Sequence, residues 1–265
     1  MVAGMLKSSR TTVLLLSAGV LVLVLGRVTP AADNSRADQK PAPGASLATP
    51  YPDNEKDFPG KGPARKFPFM QGERDAFYKA REKDKGAIVF VGDSLTGGWK
   101  TLAKDFPGLK VANRGVGGDT SRNVLFRLKE DVLVLNPKAI VIEIGNNDLT
   151  AMAKPADTLS NVTDMLALIR KELADVPIVI CSIPPSANPK APVKAADRTK
   201  INEGLKKLAA DQKNTAFCDL YASLANEDGS PRLEYFAADK LHLSDAGHSR
   251  WAELVKPILE QMKVK

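Results

Sequence analysis

From residue 71 onward the chain runs in two rhythms. Short runs dense in Val, Ile and Ala recur at 87–91, 109–112, 139–144, 177–183 and 215–220, and each ends in Gly, Asn, Ser or Pro. Between and after them, apolar residues fall three or four apart over 120–135, 155–173, 193–212 and 244–262. An earlier helical stretch covers 71–83, with Phe77 and Tyr78 on its inward side. The first rhythm predicts strands and the second amphipathic helices. The strand runs are continuously apolar, as strands buried on both faces must be. Strand and helix in alternation predict an α/β domain, a doubly wound parallel sheet with helices on both faces. Ligands bind such sheets beyond the carboxyl ends of the strands, so polar residues placed directly after a strand are the candidates for chemistry.

The beginning of the chain is built differently. Lys7 and Arg10 precede sixteen uncharged residues, 11–26, rich in Leu and Val, followed by Arg27 and Val28-Thr29-Pro30-Ala31-Ala32. A basic start, an apolar middle and small residues at the end make up a secretory signal, with cleavage expected after Ala31 or Ala32. The apolar run is short for a membrane span, which needs about 20 residues. An uncleaved anchor is the alternative. The expected location is periplasmic or secreted, without stable membrane insertion after cleavage. Residues 32–68 are rich in Pro, Gly, Ala, Asp and Lys without apolar periodicity, and read as a flexible or extended linker. The catalytic domain is then expected over 69–265.

The formal charge of +7 over 265 residues suggests a nucleic-acid partner until it is located. Residues 1–66 carry nine Lys/Arg and five Asp/Glu, a net +4, leaving +3 for the body with no long single-sign run. Nucleic-acid binding is therefore not expected. Cys181 and Cys218 each fall in a strand run and read as buried free thiols, although export would permit a disulfide. No CxxC pair or Cys/His cluster points to a metal.

Four segments stand at strand ends. Val89-Phe90-Val91-Gly92-Asp93-Ser94 places a serine at the turn after the first strand, where its N–H faces an anion and Gly92 permits a tight turn. Thr96 stands where the Gly-x-Ser-x-Gly elbow needs its second glycine, so this is not that motif. Asn113-Arg114-Gly115-Val116-Gly117-Gly118-Asp119-Thr120 follows the second strand. Its glycines expose amides, that of Gly118 as an oxyanion donor, and Asp119 or Thr120 can cap the next helix. Ile144-Gly145-Asn146-Asn147-Asp148 follows the third strand and offers an Asn side-chain amide to an oxyanion. Asp239-Lys240-Leu241-His242 holds one of only two histidines. A serine needs a base at neutral pH, imidazole is the usual one, and Asp239 three residues earlier can orient it. His248 reads as surface or groove lining. Taken singly, each segment is also ordinary turn chemistry; their order along one sheet is the signal.

The four segments resemble blocks I, II, III and V of the SGNH/GDSL hydrolase superfamily over about 71–262. The resemblance implies a five-stranded, flavodoxin-like, three-layer α/β/α fold. It also implies a catalytic Ser94, Asp239 and His242, and an oxyanion hole from Ser94, Gly118 and Asn147. Val-Phe-Val-Gly-Asp-Ser, Gly-Val-Gly-Gly-Asp-Thr-Ser-Arg and Val-Leu-Phe-Arg-Leu are similar to platelet-activating-factor acetylhydrolase catalytic subunits. Gly97-Gly98-Trp99 and Gly247-His248-Ser249-Arg250-Trp251 are similar to bacterial members that act on acetylated carbohydrates. The implied activity is hydrolysis of short-acyl carboxylic esters without cofactor or metal. The expected substrate is a small ester or an acetylated carbohydrate. A carbohydrate O-acetyltransferase or deacetylase on the same scaffold, or a non-catalytic carbohydrate-binding module, are the rivals, and a homodimer is left open. Asp93 and Glu143 read as structural rather than catalytic. Arg114 and Arg122 either face the site or form surface ion pairs.

Overall fold

The computed structural model describes residues 46–264. Five parallel strands form one sheet: β1 Ile88–Gly92, β2 Val111–Gly115, β3 Ala139–Glu143, β4 Ile178–Cys181 and β5 Thr215–Cys218. Their spatial order is β2-β1-β3-β4-β5. The longer helices are α1 Pro68–Asp84, α4 Ser121–Asp131, α6 Pro155–Glu172, α7 Ala195–Asp211 and α9 Asp245–Gln261. Short ones are α2 Ser94–Gly97, α3 Leu102–Asp105, α5 Asn146–Thr150 and α8 Leu220–Leu224. The expected α/β architecture and sheet are therefore present.

The continuous apolar runs divide by parity. Val89, Val91, Ile140, Ile142, Ile178 and Ile180 face one side, packed with Leu128 of α4, Met165 and Ile169 of α6, and Ile201 and Leu205 of α7. Ile88, Phe90, Val141, Val179, Cys181 and Cys218 face the other, packed with Trp99, Phe106, Leu220 and Trp251. Both cysteines are buried and free, side by side in the register of β4 and β5. Pro68 and Pro155 open α1 and α6, where a missing N–H costs nothing and the fixed φ suits the first turn. Thr120 caps α4, as one of the two sequence candidates. On α1 the inward residues are Met70, Arg74 and the partly buried Phe77. Tyr78 instead lies half-buried under the Arg81 guanidinium, 3.8 Å from the ring centre. Arg74 is wholly buried on the inward face.

The greatest departure from expectation concerns residues 46–67. They carry one short 3-10 turn, Glu55–Asp57, and otherwise no regular structure, but they are fastened to the body. Ala48, Tyr51 and Phe58 are buried, and Tyr51 donates to Asp119 at 3.0 Å. The buried polar start of α4 supplies the other ties. Arg122 donates to the carbonyls of Phe58, Pro59 and Gly62, and Thr120 to that of Pro63. Asn123 bonds both the N–H and the C=O of Arg65. Polar helix residues that looked solvent-facing are thus satisfied by backbone, as buried polar groups must be. Arg122 neither faces the site nor sits on the surface. Arg114 likewise is buried, donating to Asp84 at 2.8 Å and to the carbonyls of Asn113 and Asp131. The expected signal over 1–31 and linker residues 32–45 lie outside the described residues. Among the described residues no helix is long and apolar enough to cross a membrane.

Candidate active site

In the order 2-1-3-4-5 the chain leaves β1 for β2 on one side and returns to β3 on the other. A crevice opens at the carboxyl ends of β1 and β3. All four sequence segments end there. The turn after β1 is possible because Gly92 has no side chain: a Cβ would lie 2.1 Å from the Glu143 carbonyl. Asp93 then caps α2 by accepting from the Leu95 N–H at 2.9 Å, and Ser94 is lifted to the rim, half-buried.

His242 reaches Ser94 from a closed loop. An antiparallel bridge pairs Phe236 with Leu243, and between them Lys240 adopts φ 56. The Asp239 carboxylate accepts from the Leu241 and His242 N–H groups at 3.0 Å, which fixes the turn. Its other oxygen meets His242 Nδ1 at 2.5 Å, and His242 Nε2 stands 3.0 Å from Ser94 Oγ. Partial burial would raise Asp239, but the bonds from His242 and Leu241 outweigh it and hold the carboxylate below its usual range. An ionised Asp239 favours the Nδ1–H tautomer and leaves Nε2 free to accept the serine proton.

Gly117 and Gly118 border the nucleophile. A Cβ on Gly117 would lie 3.8 Å from Ser94 Cβ. Gly118 has φ +85, and a Cβ there would meet the Phe67 ring at 2.7 Å. Asn147, at the start of α5, donates to Asp93 Oδ2 at 3.1 Å and to the Asp119 carbonyl at 3.0 Å. Its own carbonyl accepts from Arg65 at 2.8 Å. Ser94, Asp239, His242, Gly118 and Asn147 are thus brought to one crevice from four separate loops.

His248 differs from its expected place. It is 3 % exposed, lies stacked on Trp99 and bonds the Leu95 carbonyl through Nε2 at 3.0 Å. Burial lowers its pKa, so it serves as a neutral prop beneath α2. Glu143 is wholly buried with no hydrogen-bond partner on either oxygen among the described residues. Burial first, and then neighbouring Asp93, push its pKa well above the usual carboxylate range.

Asp93 is also wholly buried. Burial, with Asp119 and Asp148 adding to it, raises its pKa to about 7 against the opposing Leu95 N–H and His242. The native chain therefore keeps a proton that the unfolded chain releases near pH 4. This group favours the fold fully below about pH 4 and loses that contribution as pH rises to 7. Asp93→Asn is expected to flatten the fall in urea-unfolding stability between pH 4.5 and 7.5. An unaltered slope would show that Asp93 is ionised throughout.

Sequence reasoning missed three residues at this crevice. Arg65 contacts Asn147, Phe67 covers Gly118, and Phe69 lies 3.6 Å from where a Gly117 side chain would begin. Phe67 and Phe69 are stacked at 5.8 Å and are 41 % and 54 % exposed. The available signal was Phe67-Pro68-Phe69, an aromatic pair flanking a helix-opening proline in an otherwise apolar-poor stretch.

Comparison with known proteins identifies the family. The GDSL-like Lipase/Acylhydrolase family matches residues 90–250, from β1 into α9. The chain is 29 % identical over 189 residues to platelet-activating factor acetylhydrolase IB subunit alpha2 of Rattus norvegicus, covering 69 % of this chain and 77 % of that one. It is 27 % identical over 180 residues to the alpha1 subunit from the same organism, covering 65 % and 75 %. A crystal structure of a GDSL-like lipase from Bacteroides thetaiotaomicron superposes with a TM-score of 0.62 at 25 % identity, over 73 % of this chain and 98 % of that one. The strap 46–67 and α1 lie outside the family match. The chain belongs to the GDSL-like Lipase/Acylhydrolase family and is an ester-cleaving enzyme of that family.

Proposed function

We propose that this enzyme hydrolyses esters of short acyl groups, acetyl foremost, by acyl transfer through Ser94. The relay from Ser94 Oγ to His242 Nε2 and from Nδ1 to Asp239 carries the reading. His242 takes the serine proton as Oγ attacks the ester carbonyl, and Asp239 stabilises the imidazolium. The oxyanion is met by the Ser94 and Gly118 amides and by Asn147. Both Asn147 amide hydrogens are engaged at rest, one by Asp93, so the oxyanion replaces that acceptor as it forms. His242 then protonates the leaving alcohol. Water, deprotonated by His242, releases the acyl group and restores Ser94.

The Phe67 ring over Gly118 supports a small acyl group, as do the acetylhydrolase names of the relatives. Hydrolysis of p-nitrophenyl acetate, butyrate and octanoate tests it: turnover should fall with chain length, and a steady rise to octanoate would overturn it. Asn147→Ala should lower kcat about 10²–10³-fold while remaining folded, the usual cost of one oxyanion donor. Near-normal turnover would remove Asn147 from the role. The exposed Phe67–Phe69 pair beside Ser94 favours a ring-bearing alcohol, and hence an acetylated carbohydrate as substrate, because a pyranose presents a C–H face that packs on aromatic rings. Acetate release from acetylated methyl glycosides, lost selectively in Phe69→Ala, would support that second reading.

A further inference from the structure

Beside Asn147 a cavity of about 320 Å³ is lined by Arg65, Asn146, Asn147, Thr150, Lys190 and Leu241 among others, none of them acidic. Leu241 precedes His242, so the cavity adjoins the ester-cleaving crevice. Arg65 enters it from the strap, with its backbone clamped on both sides by Asn123. Its guanidinium bonds only neutral acceptors among the described residues, Asn147 Oδ1 at 2.8 Å and Thr150 Oγ1 at 2.9 Å. A guanidinium has five N–H donors, and a half-buried cation is costly without a counter-charge. Asp148 and Asp93 lie behind it, but both are buried and committed elsewhere. Asp148 accepts from Ser121 and Thr158, and Asp93 from Leu95 and Asn147. Lys190 stands exposed on the facing loop with no ion pair among the described residues. An adjoining cavity shares Met152 and Pro192 with this one and adds Lys194 and Asp197, one charge of each sign. The positive excess is thus confined to Arg65 and Lys190.

We propose that Arg65 and Lys190 form an anion subsite, so that the preferred substrates are esters whose alcohol carries a carboxylate or phosphate group. The inference rests on the esterase reading above. An anion seated there would give the Arg65 fork the charged hydrogen-bond acceptor that Asp148 and Asp93, acting on it only through space, do not provide, and would be met bidentately. It would also hold the ester next to Asn147, one hydrogen bond away from the guanidinium.

The test compares kcat/KM for 4-acetoxybenzoate and 4-acetoxyphenyl phosphate with that for neutral 4-acetoxybenzamide, in wild type, Lys190→Glu and Arg65→Gln. The readout is the ratio of anionic to neutral ester, which cancels any general loss from disturbing Asn147. Lys190→Glu should lower that ratio about tenfold, and Arg65→Gln at least as much. The wild-type ratio should also shrink as salt rises. A larger ratio for the phosphate ester identifies a phosphate preference, and a larger one for the benzoate a carboxylate preference. Equal ratios in all three proteins would overturn the subsite while Ser94-dependent cleavage of the benzamide ester left the esterase reading standing. Absence of turnover on every ester would instead remove that reading. In that case, protection of Arg65 from a guanidine-modifying reagent by 4-hydroxybenzoate or inorganic phosphate would still decide whether the subsite exists.

Discussion

Ser94→Ala is expected to lower kcat for p-nitrophenyl acetate by at least about 10⁴-fold, with the protein folded and its KM little changed. Loss of a triad nucleophile in serine hydrolases costs about 10⁴–10⁶, and what remains comes from the oxyanion hole and binding. Here the side chain is half-buried at the end of β1 and its contact in the structure is His242 Nε2. Alanine keeps the backbone amide and leaves no buried group unsatisfied. Asp239→Asn should cost about 10²–10⁴-fold, through the tautomer: an amide in place of the carboxylate no longer holds the proton on Nδ1. Asp239 is half-exposed, so water can partly substitute for it, which places the expectation below that for the serine. The double variant should be no less active than Ser94→Ala alone, because the groups act as one unit. Independent multiplication of the two losses would show that Asp239 works outside the relay. A Ser94→Ala protein retaining more than about 1 % of wild-type turnover would transfer the nucleophile to another residue.

The second large effect is structural. Arg127→Met is expected to destabilise the fold by about 3–5 kcal/mol, lowering Tm by about 6–20 °C. Arg127 is fully buried in α4. It donates to Asp119 Oδ2 at 2.6 Å and to the carbonyls of Gly92 and Arg114 at 3.0 and 2.8 Å. Methionine fills much of the volume but leaves the buried Asp119 carboxylate without its cation and with the Tyr51 hydroxyl as its remaining side-chain donor, although burial has already pushed it up to about 6 despite the ion pair. Pairing Arg127→Met with Asp119→Asn should recover part of the loss, since the buried charge is then gone. Activity should suffer along with stability. Arg127 ties the ends of β1 and β2 to the loop whose Asp119 carbonyl holds Asn147, so loosening it frees three walls of the crevice together. Thermal unfolding of the single and double variants measures this. A shift of less than about 2 °C for the single variant would show that the crevice holds together without the pair.

Much of this molecule was legible in its residue pattern, for reasons that are local. A strand buried on both faces must be apolar at every position, and a helix against a sheet must be apolar every three or four, so the order of the elements can be read directly. The ends of the strands were equally readable, because turns need Gly, Asn or Asp, and four such ends in order along one sheet carry a signal that none carries alone. Ser94, the Gly118 amide, Asp239 and His242 could be picked out because each lies at a boundary between two periodicities, whereas the choice of Asn147 over Asn146 came from the resemblance to the SGNH/GDSL hydrolases. The tertiary structure decided the rest. Whether a polar residue on α4 faces water or another segment depends on what covers it. Thr120, Arg122 and Asn123 are covered by residues 46–67, which they bond, while Arg127 points inward to Asp119 and the carbonyls of Gly92 and Arg114. Residues 46–67 have no periodicity of their own, since a strap bonded through its backbone needs none. For the same reason Arg65, Phe67 and Phe69 reach the crevice unannounced, and His248, alike in sequence to any surface histidine, is sealed between Trp99 and the Leu95 carbonyl. Composition and spacing report what a segment can do by itself; which partner satisfies a buried charge is settled only when distant parts of the chain meet.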